Sequence, residues 1–275
     1  MDIYSIYLQA LEEDDRETIN WCLEQVAYDD KYRVIRRFNP YGFQQDLFGA
    51  GKEFMSRFAC FSNRCGKTFS GAREMAYHLT GKYPEWWNGY RFDRPIKAWA
   101  IGITGDSTRK VLQLELLGTI DARQTTEIGS GAISRDDVNF DSLERDGTRI
   151  LVARIKHYNS EGEFDGESIL EFRTTSAGVH VLMGSSQDFI WLDEEDEHNS
   201  MEIYSQCMTR LATTNGRLLM TATPENGLTP LIQKFMDTPE EMWIGHVGWD
   251  KAEHLTEDVK RKLIASYPEW EIPMR

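Results

Sequence analysis

Long apolar runs are missing from this 275-residue sequence: none reaches the roughly 18–20 residues that a membrane span needs. The N-terminal stretch MDIYSIYLQALEEDDRE is acidic and lacks the basic and apolar regions of a secretory signal. Cysteine is sparse. The four present, Cys22, Cys60, Cys65 and Cys207, show no CxxC spacing, so neither a zinc knuckle nor a disulfide framework is indicated, and a reducing cytoplasm is the simplest setting. No periodic repeat or low-complexity segment occurs; YPEW stands at both Tyr83 and Tyr267, a coincidence in this reading. Positive charge is in deficit too, with a formal net charge of -14 and acid concentrated in Glu12–Asp15, Glu161–Glu167 and Asp193–Glu197. That deficit argues against tight non-specific DNA binding by the chain alone, while leaving room for a local basic patch or a channel shared between copies. What is present suffices for a buried core: 40% hydrophobic and 28% charged residues, the balance of one large soluble domain.

Periodicity divides the chain. Residues 1–38 read as a polar helical segment, with apolar residues at helical spacing (Ile3, Ile6, Tyr7 and Leu11, then Ile19, Trp21, Leu23 and Val26). Asn39-Pro40-Tyr41-Gly42 is a turn, Phe43–Phe54 a helix, Arg57–Phe61 a short apolar strand and Phe69–Thr80 a helix. Ile96–Thr104 reads as a buried parallel strand running into a helix at Val111–Leu117. Residues 121–147 are polar and glycine-rich, and a hairpin of Arg149–His157 and Ser168–Thr174 follows. Further strands are expected at Phe189–Leu192, Gly216–Met220 and Met242–Val247, and a last helix at Thr256–Ser266. Alternating helices and apolar strands predict an α/β sandwich around a mostly parallel sheet.

The chemistry centres on ACFSNRCGKT, which closes with Gly66-Lys67-Thr68 but lacks the first glycine of G-x-x-x-x-G-K-[ST], having Phe61 there instead. A lone GKT is weak evidence, equally readable as a strand–turn–helix corner with a surface lysine. The phosphate-holding groups nevertheless survive: backbone N–H groups across Asn63, Arg64, Cys65 and Gly66, the Lys67 charge, and the Thr68 hydroxyl for Mg²⁺. FIWLDEE then delivers Asp193 from a buried strand to hold Mg²⁺, with Glu194 one residue on to polarise an attacking water. LLMTATP is a strand ending in Thr221-Ala222-Thr223; the hydroxyls of Thr221 and Thr223 suit a γ-phosphate sensor, a plain Thr-rich strand end being the alternative. In PYGFQQDLF a carboxamide suits an adenine edge; Gln45 is the first choice and Gln44 the second, a solvated helix glutamine being the alternative. Trp86-Trp87 reads first as packing, second as a contact surface for DNA or a neighbouring subunit.

Taken together, these motifs resemble the large terminase subunit of tailed bacteriophages over roughly residues 38–250. The likeness lies in NRCGKT with Ala72, Glu74 and His78-Leu79-Thr80-Gly81; in YPEWWNGYRF with Pro95 and Trp99; in the hairpin through Gly178, Met183-Gly184 and Asp188 to WLDEE; and in TATPENGLTPLIQKF. The resemblance implies a P-loop NTPase three-layer sandwich of the additional-strand, catalytic-glutamate type at 39–250, with 251–275 as a C-terminal helix and the start of a linker. It implies ATP hydrolysis with Mg²⁺ driving double-stranded DNA into a procapsid. Lys67 and Thr68 become the Walker A pair, Asp193 and Glu194 the Walker B pair, Thr221–Thr223 the coupling segment, and Arg64 a further catalytic cation. The implied partners are the portal protein, the small terminase subunit and further copies of the chain in a ring on the portal. The chain alone is expected to be a monomer, in the cytoplasm of the infected host. An arginine supplied in trans is expected among Arg109, Arg123 and Arg135. Phe61-Ser62 and Asp196 depart from the family pattern. The family's nuclease domain is not expected here, as in a truncated chain or split gene product. A helicase-like translocase and a non-catalytic nucleotide-binding assembly module are the alternatives.

Overall fold

Apolar runs bounded by turn residues become the central strands of a single eight-stranded sheet, ordered β3-β4-β5-β2-β6-β7-β1-β8. The structure is a computed structural model, and it describes residues 2–118, 127–224 and 227–268. The strands are β1 (Ser56–Phe61), β2 (Lys97–Gly102), β3 (Val138–Asp146), β4 (Arg149–Tyr158), β5 (Phe164–Thr174), β6 (Phe189–Asp193), β7 (Arg217–Ala222) and β8 (Met242–Val247). From β5 to β8 every neighbouring pair is parallel. β3, β4 and β5 form an antiparallel meander at one edge. The expected two-stranded hairpin therefore gains a third strand inside the stretch read as polar and glycine-rich. β3 is an edge strand, exposed mainly over its last three residues, and its register shifts twice against β4, so its sequence carries no clean alternation.

β7 lies between β1 and β6, so the strand that enters the GKT loop and the strand that ends in Asp193 are separated by one additional strand. All six residues of β1 are buried, with alternate side chains feeding opposite faces: Ala59 and Phe61 one core, Phe58 and Cys60 the other. The first core is covered by α3 (Gly42–Glu53), α4 (Lys67–Thr80) and the helix that starts as α5 (Gly105–Ser107), passes through a π turn at Thr108–Gln113 and ends as α6 (Leu114–Leu117). The second is covered by α7 (Ser200–Leu211) and α8 (Pro230–Asp237). The result is three layers. At the termini lie α1 (Ile3–Glu12), α2 (Arg16–Tyr32) and α9 (Glu257–Ala265); Asp2 and Asp15 cap the first two by accepting from backbone N–H groups.

Two features fix α4 against the sheet. Gly71 lets it approach Trp191 of β6, since a Cβ there would stand 2.4 Å from the indole ring. A buried polar chain also runs through it. The Arg57 guanidinium donates to both Glu74 oxygens (3.1 and 2.6 Å) and to the Leu47 carbonyl (2.9 Å). His78 joins Glu74 (3.2 Å) to the Tyr83 hydroxyl (2.9 Å), which accepts from the Phe92 N–H. Burial alone would raise the Glu74 carboxyl, but Arg57 and His78 hold it below its usual value; burial keeps His78 neutral. Trp87 is buried against Phe48 and Tyr77, and Trp86 packs edge-on to Tyr77 and Phe38, so the tryptophan pair lies in an aromatic cluster.

Candidate nucleotide site

The loop after β1 is shaped by two left-handed residues, Arg64 (φ 66°) and Gly66 (φ 77°), the second capping α4. Alternation of this kind makes an anion-binding concavity at a helix N-terminus. Gly66 is required by its φ rather than by crowding, because its nearest neighbour would sit at an ordinary 3.4 Å from a Cβ. Phe61 leaves the loop altogether. Its ring is fully buried, edge-on to Phe43 at 5.5 Å, and only its carbonyl faces the site, accepting from Thr223 Oγ1 at 3.2 Å. The Cys65 side chain is also buried, and burial pushes its thiol up to about 11. Cys65 therefore offers backbone groups alone to the loop.

Lys67 Nζ donates to Thr223 Oγ1 (2.7 Å) and Asn63 Oδ1 (3.2 Å) and stands 3.3 Å from Glu194 Oε1. Thr68 Oγ1 donates to Asp193 Oδ1 at 3.1 Å. Glu194 adopts φ 68°, a conformation strained for a residue with a Cβ; its N–H donates to the Thr221 carbonyl at 2.7 Å and its side chain stays 43% exposed. The three members of the coupling segment part company. Thr223 bonds Lys67, whereas Thr221 is fully buried, donating to Asp193 Oδ1 (2.6 Å) and accepting from Trp191 Nε1 (2.7 Å). Thr221 thus holds the carboxylate and does not face the loop, which corrects the paired γ-phosphate sensor expected from LLMTATP. Ala222 points into the opposite core.

Gln44 and Gln45 exchange rank. Gln44 is buried beside the loop, accepting from the Tyr41 N–H (3.0 Å) and donating to Ser70 Oγ (2.8 Å), which in turn bonds the Gly66 carbonyl. Gln45 is exposed on the far side of α3, with its carbonyl near Asn88, and does not reach the cavity. The cavity itself has a volume of about 720 Å³ and lies over Gly66, Lys67 and Thr68. Its wall includes residues that sequence reasoning missed: Val34, Arg37, Phe38, Phe69, Arg73 and His254. The wall thus draws on chain from both sides of the boundaries expected at residues 38 and 250. His254 Nε2 bonds the Arg64 carbonyl (2.7 Å) and Trp249 Nε1 donates to the Asn63 carbonyl (2.8 Å), bracing the loop from the C-terminal side. Of the lining residues Arg37, Arg64, Lys67 and Arg73 are cationic and none is acidic, a reversal of the chain's overall charge. That lining, with Thr68 touching Asp193, fits a polyphosphate carrying Mg²⁺.

The described arginines expected to act in trans, Arg109 and Arg135, do not line this cavity. Arg109 lies on the π turn, 3.8 Å from Asp106. Arg135 is drawn inward, stacked over Tyr32 and Phe140 and donating to the Ile128 carbonyl. Arg123 lies outside the described residues.

Asp193 is pushed up to about 7, by burial first and by the adjacent Glu194 second, against Thr221, Lys67 and Thr68. A carboxyl raised in the folded chain favours the folded state most at low pH, so this contribution is lost as pH rises from about 4 to about 7. A metal ion at Asp193 must displace the same proton. Mg²⁺-dependent nucleotide binding is therefore expected to strengthen as pH rises through about 7, and Asp193→Asn to flatten that dependence; calorimetric titrations on both sides of neutrality check it.

Residues 59–274 match the family model described as terminase large subunit, T4likevirus-type, N-terminal. The chain belongs to the terminase large-subunit family. Within that family, the large terminase subunit of Salmonella phage P22 is 31% identical over 274 residues, an alignment spanning 94% of this chain and 54% of the phage protein. This terminase chain thus spans about half the length of that relative. Its fold is similar to the large terminase ATPase domain of Thermus phage P74-26 (TM-score 0.60, 16% identity, 89% of this chain and 95% of that one). It is also similar to the large terminase of a thermophilic bacteriophage, solved in complex with ADP (TM-score 0.55, 12% identity, 83% of this chain and 50% of that one). At these identities the two structures establish a shared fold.

Proposed function

We propose that this chain hydrolyses ATP, with Mg²⁺, to drive double-stranded DNA through the portal of a procapsid. The observation that carries the reading is the meeting of Lys67, Thr68, Asp193 and Glu194 beside a cationic cavity at one end of the sheet. Lys67 would neutralise charge on the β- and γ-phosphates, and Arg64 would reach the γ-phosphate from the same loop. Thr68 and Asp193 would hold Mg²⁺, which when bound offsets phosphate charge. Glu194, exposed and one residue beyond, would take the proton of the attacking water. Gln44 would present its remaining carboxamide valences to a base flanked by Tyr41 and Phe38. Thr223 would report loss of the γ-phosphate through its bond to Lys67.

The partners in this reading are DNA, the portal protein, the small terminase subunit and further copies in a ring on the portal, in the cytoplasm of the infected host. A neighbour would supply an arginine, for which Arg109 is the better of the two described candidates, because Arg135 is engaged by Tyr32, Phe140 and the Ile128 carbonyl. Steady-state ATP hydrolysis measured across protein concentration tests the proposal. Activity per chain is expected to rise with concentration and to fall by at least about tenfold in Arg109→Ala, the scale of a lost transition-state cation. Nucleotide bound without turnover at every concentration would instead identify a switch module.

A further inference from the structure

Arg73 is a buried cation in the wall of the nucleotide cavity, only 7% exposed. Its guanidinium lies over the Phe69 ring, 3.2 Å from the centroid, one turn back along α4. Nη1 donates to Glu115 Oε2 of α6 at 2.9 Å, while the Nε–H meets no partner among the described residues. Burial lowers the pKa of Arg73 below the ordinary arginine value in spite of Glu115. A group with five donors and one carboxylate is thus left short of acceptors, and the open space beside it is the cavity.

Position along α4 decides which part of a nucleotide Arg73 meets. It stands six residues past Lys67, about 9 Å along the helix axis, and a long helical side chain leans back toward the N-terminus. Its head therefore lies at the level of Phe69, just beyond the residue that touches Asp193. Phe69 follows Thr68 and is turned about 100° from it, away from the Asp193 side. Phe38 packs edge-on to Phe69 at 5.5 Å. In the reading above, Lys67 and Thr68 take the β- and γ-phosphates and Gln44 and Phe38 the base. The part of the ligand between them is the sugar, whose hydroxyl oxygens are acceptors that a guanidinium, donor only, can use.

We propose that Arg73 is a specificity-determining residue that donates to the ribose hydroxyls of the bound nucleotide. The proposal rests on the nucleotide reading and adds a preference for ribonucleotide to it. Glu115 takes part only by holding one edge of the guanidinium and has no direct contact with the sugar.

Equilibrium titration of the whole chain with ATP, with 2′,3′-dideoxy-ATP and with inorganic tripolyphosphate tests it. The parent should bind ATP at least about tenfold tighter than the dideoxy nucleotide, the scale of a hydrogen bond to a charged donor. Arg73→Met should weaken ATP to the level of the dideoxy nucleotide while leaving dideoxy-ATP and tripolyphosphate within about twofold. Glu115→Gln separates contact from scaffolding, because it breaks the ion pair and leaves Arg73 in place: the preference for ATP should survive. Equal affinity of the parent for ATP and dideoxy-ATP overturns the proposal without any variant. So does a preference that persists in Arg73→Met, a matching loss in Glu115→Gln, or a parallel loss of tripolyphosphate, which would make Arg73 a phosphate ligand. A parent that binds neither ATP nor tripolyphosphate would remove the nucleotide reading itself.

Discussion

Replacing Glu194 by Gln should lower ATP turnover by roughly two to four orders of magnitude, the range a lost general base commands, while nucleotide affinity holds within a few-fold. The side chain places Oε1 3.3 Å from Lys67 Nζ and Oε2 3.4 Å from the Thr223 N, and Gln preserves the shape and one of these two acceptors. What it removes is basicity. Lys67→Ala should behave differently, because it deletes the cation proposed to meet the phosphates: affinity and turnover should fall together. Single-turnover hydrolysis beside equilibrium titration of a fluorescent nucleotide separates the two patterns. Turnover in Glu194→Gln within tenfold of the parent would remove Glu194 from the water-activating role and shift attention to its neighbour Glu195, which is bonded to Thr229 at the start of α8.

The second large effect is on stability. Arg57 and Glu74 are 0% and 1% exposed, and neither charge has water to turn to if its partner is lost. Arg57→Met should therefore destabilise the fold by about 3–5 kcal/mol, the cost of an uncompensated buried charge, lowering the unfolding midpoint by roughly 10 °C or more. Adding Glu74→Leu should recover part of that loss by removing the stranded carboxylate, with His78 left short of one partner. Because Glu74 is held below its usual value, the pair's contribution is full above about pH 4.5 and fades as pH falls through the folded value. Thermal unfolding of the single and double variants measures the coupling. Equal midpoints for parent and Arg57→Met would mean the pair contributes nothing.

Asp193 and Glu194 were legible because they close a buried apolar strand, and the GKT because it opens a helix a short loop after another such strand, both of them local patterns. Gln44 was legible in principle. It stands three and four residues before Leu47 and Phe48, both buried, and so shares their inward face of α3, whereas Gln45 is rotated about 100° away. The apolar phase of the helix therefore points to Gln44 as the glutamine beside the loop. Thr221 was not legible, because its hydroxyl is spent on Asp193 through a contact set by the Trp191 indole two strands from β1. Nor were Val34, Arg37, Phe38 and His254, which reach one cavity from opposite ends of the chain with no motif at either. β3 escaped because its register slips after Asn139: Val138 and Phe140 alternate toward the core, but Leu143 falls out of phase with them.

The placement of β1 carries a consequence for how the protein is made. Both of its hydrogen-bonded neighbours, β7 and β8, come more than about 150 residues later in sequence: Ser56 lies opposite Leu218 on one side and Met242 on the other. While the chain emerges from a ribosome, the phosphate loop has no sheet to lean on until nearly everything through Val247 has been synthesised. Pairings this remote close large loops before any contact rewards them, which makes for slow assembly and a long exposure of apolar strands. ATP-binding competence should consequently arrive late and all at once, with a nascent chain stopped before β7 blind to nucleotide.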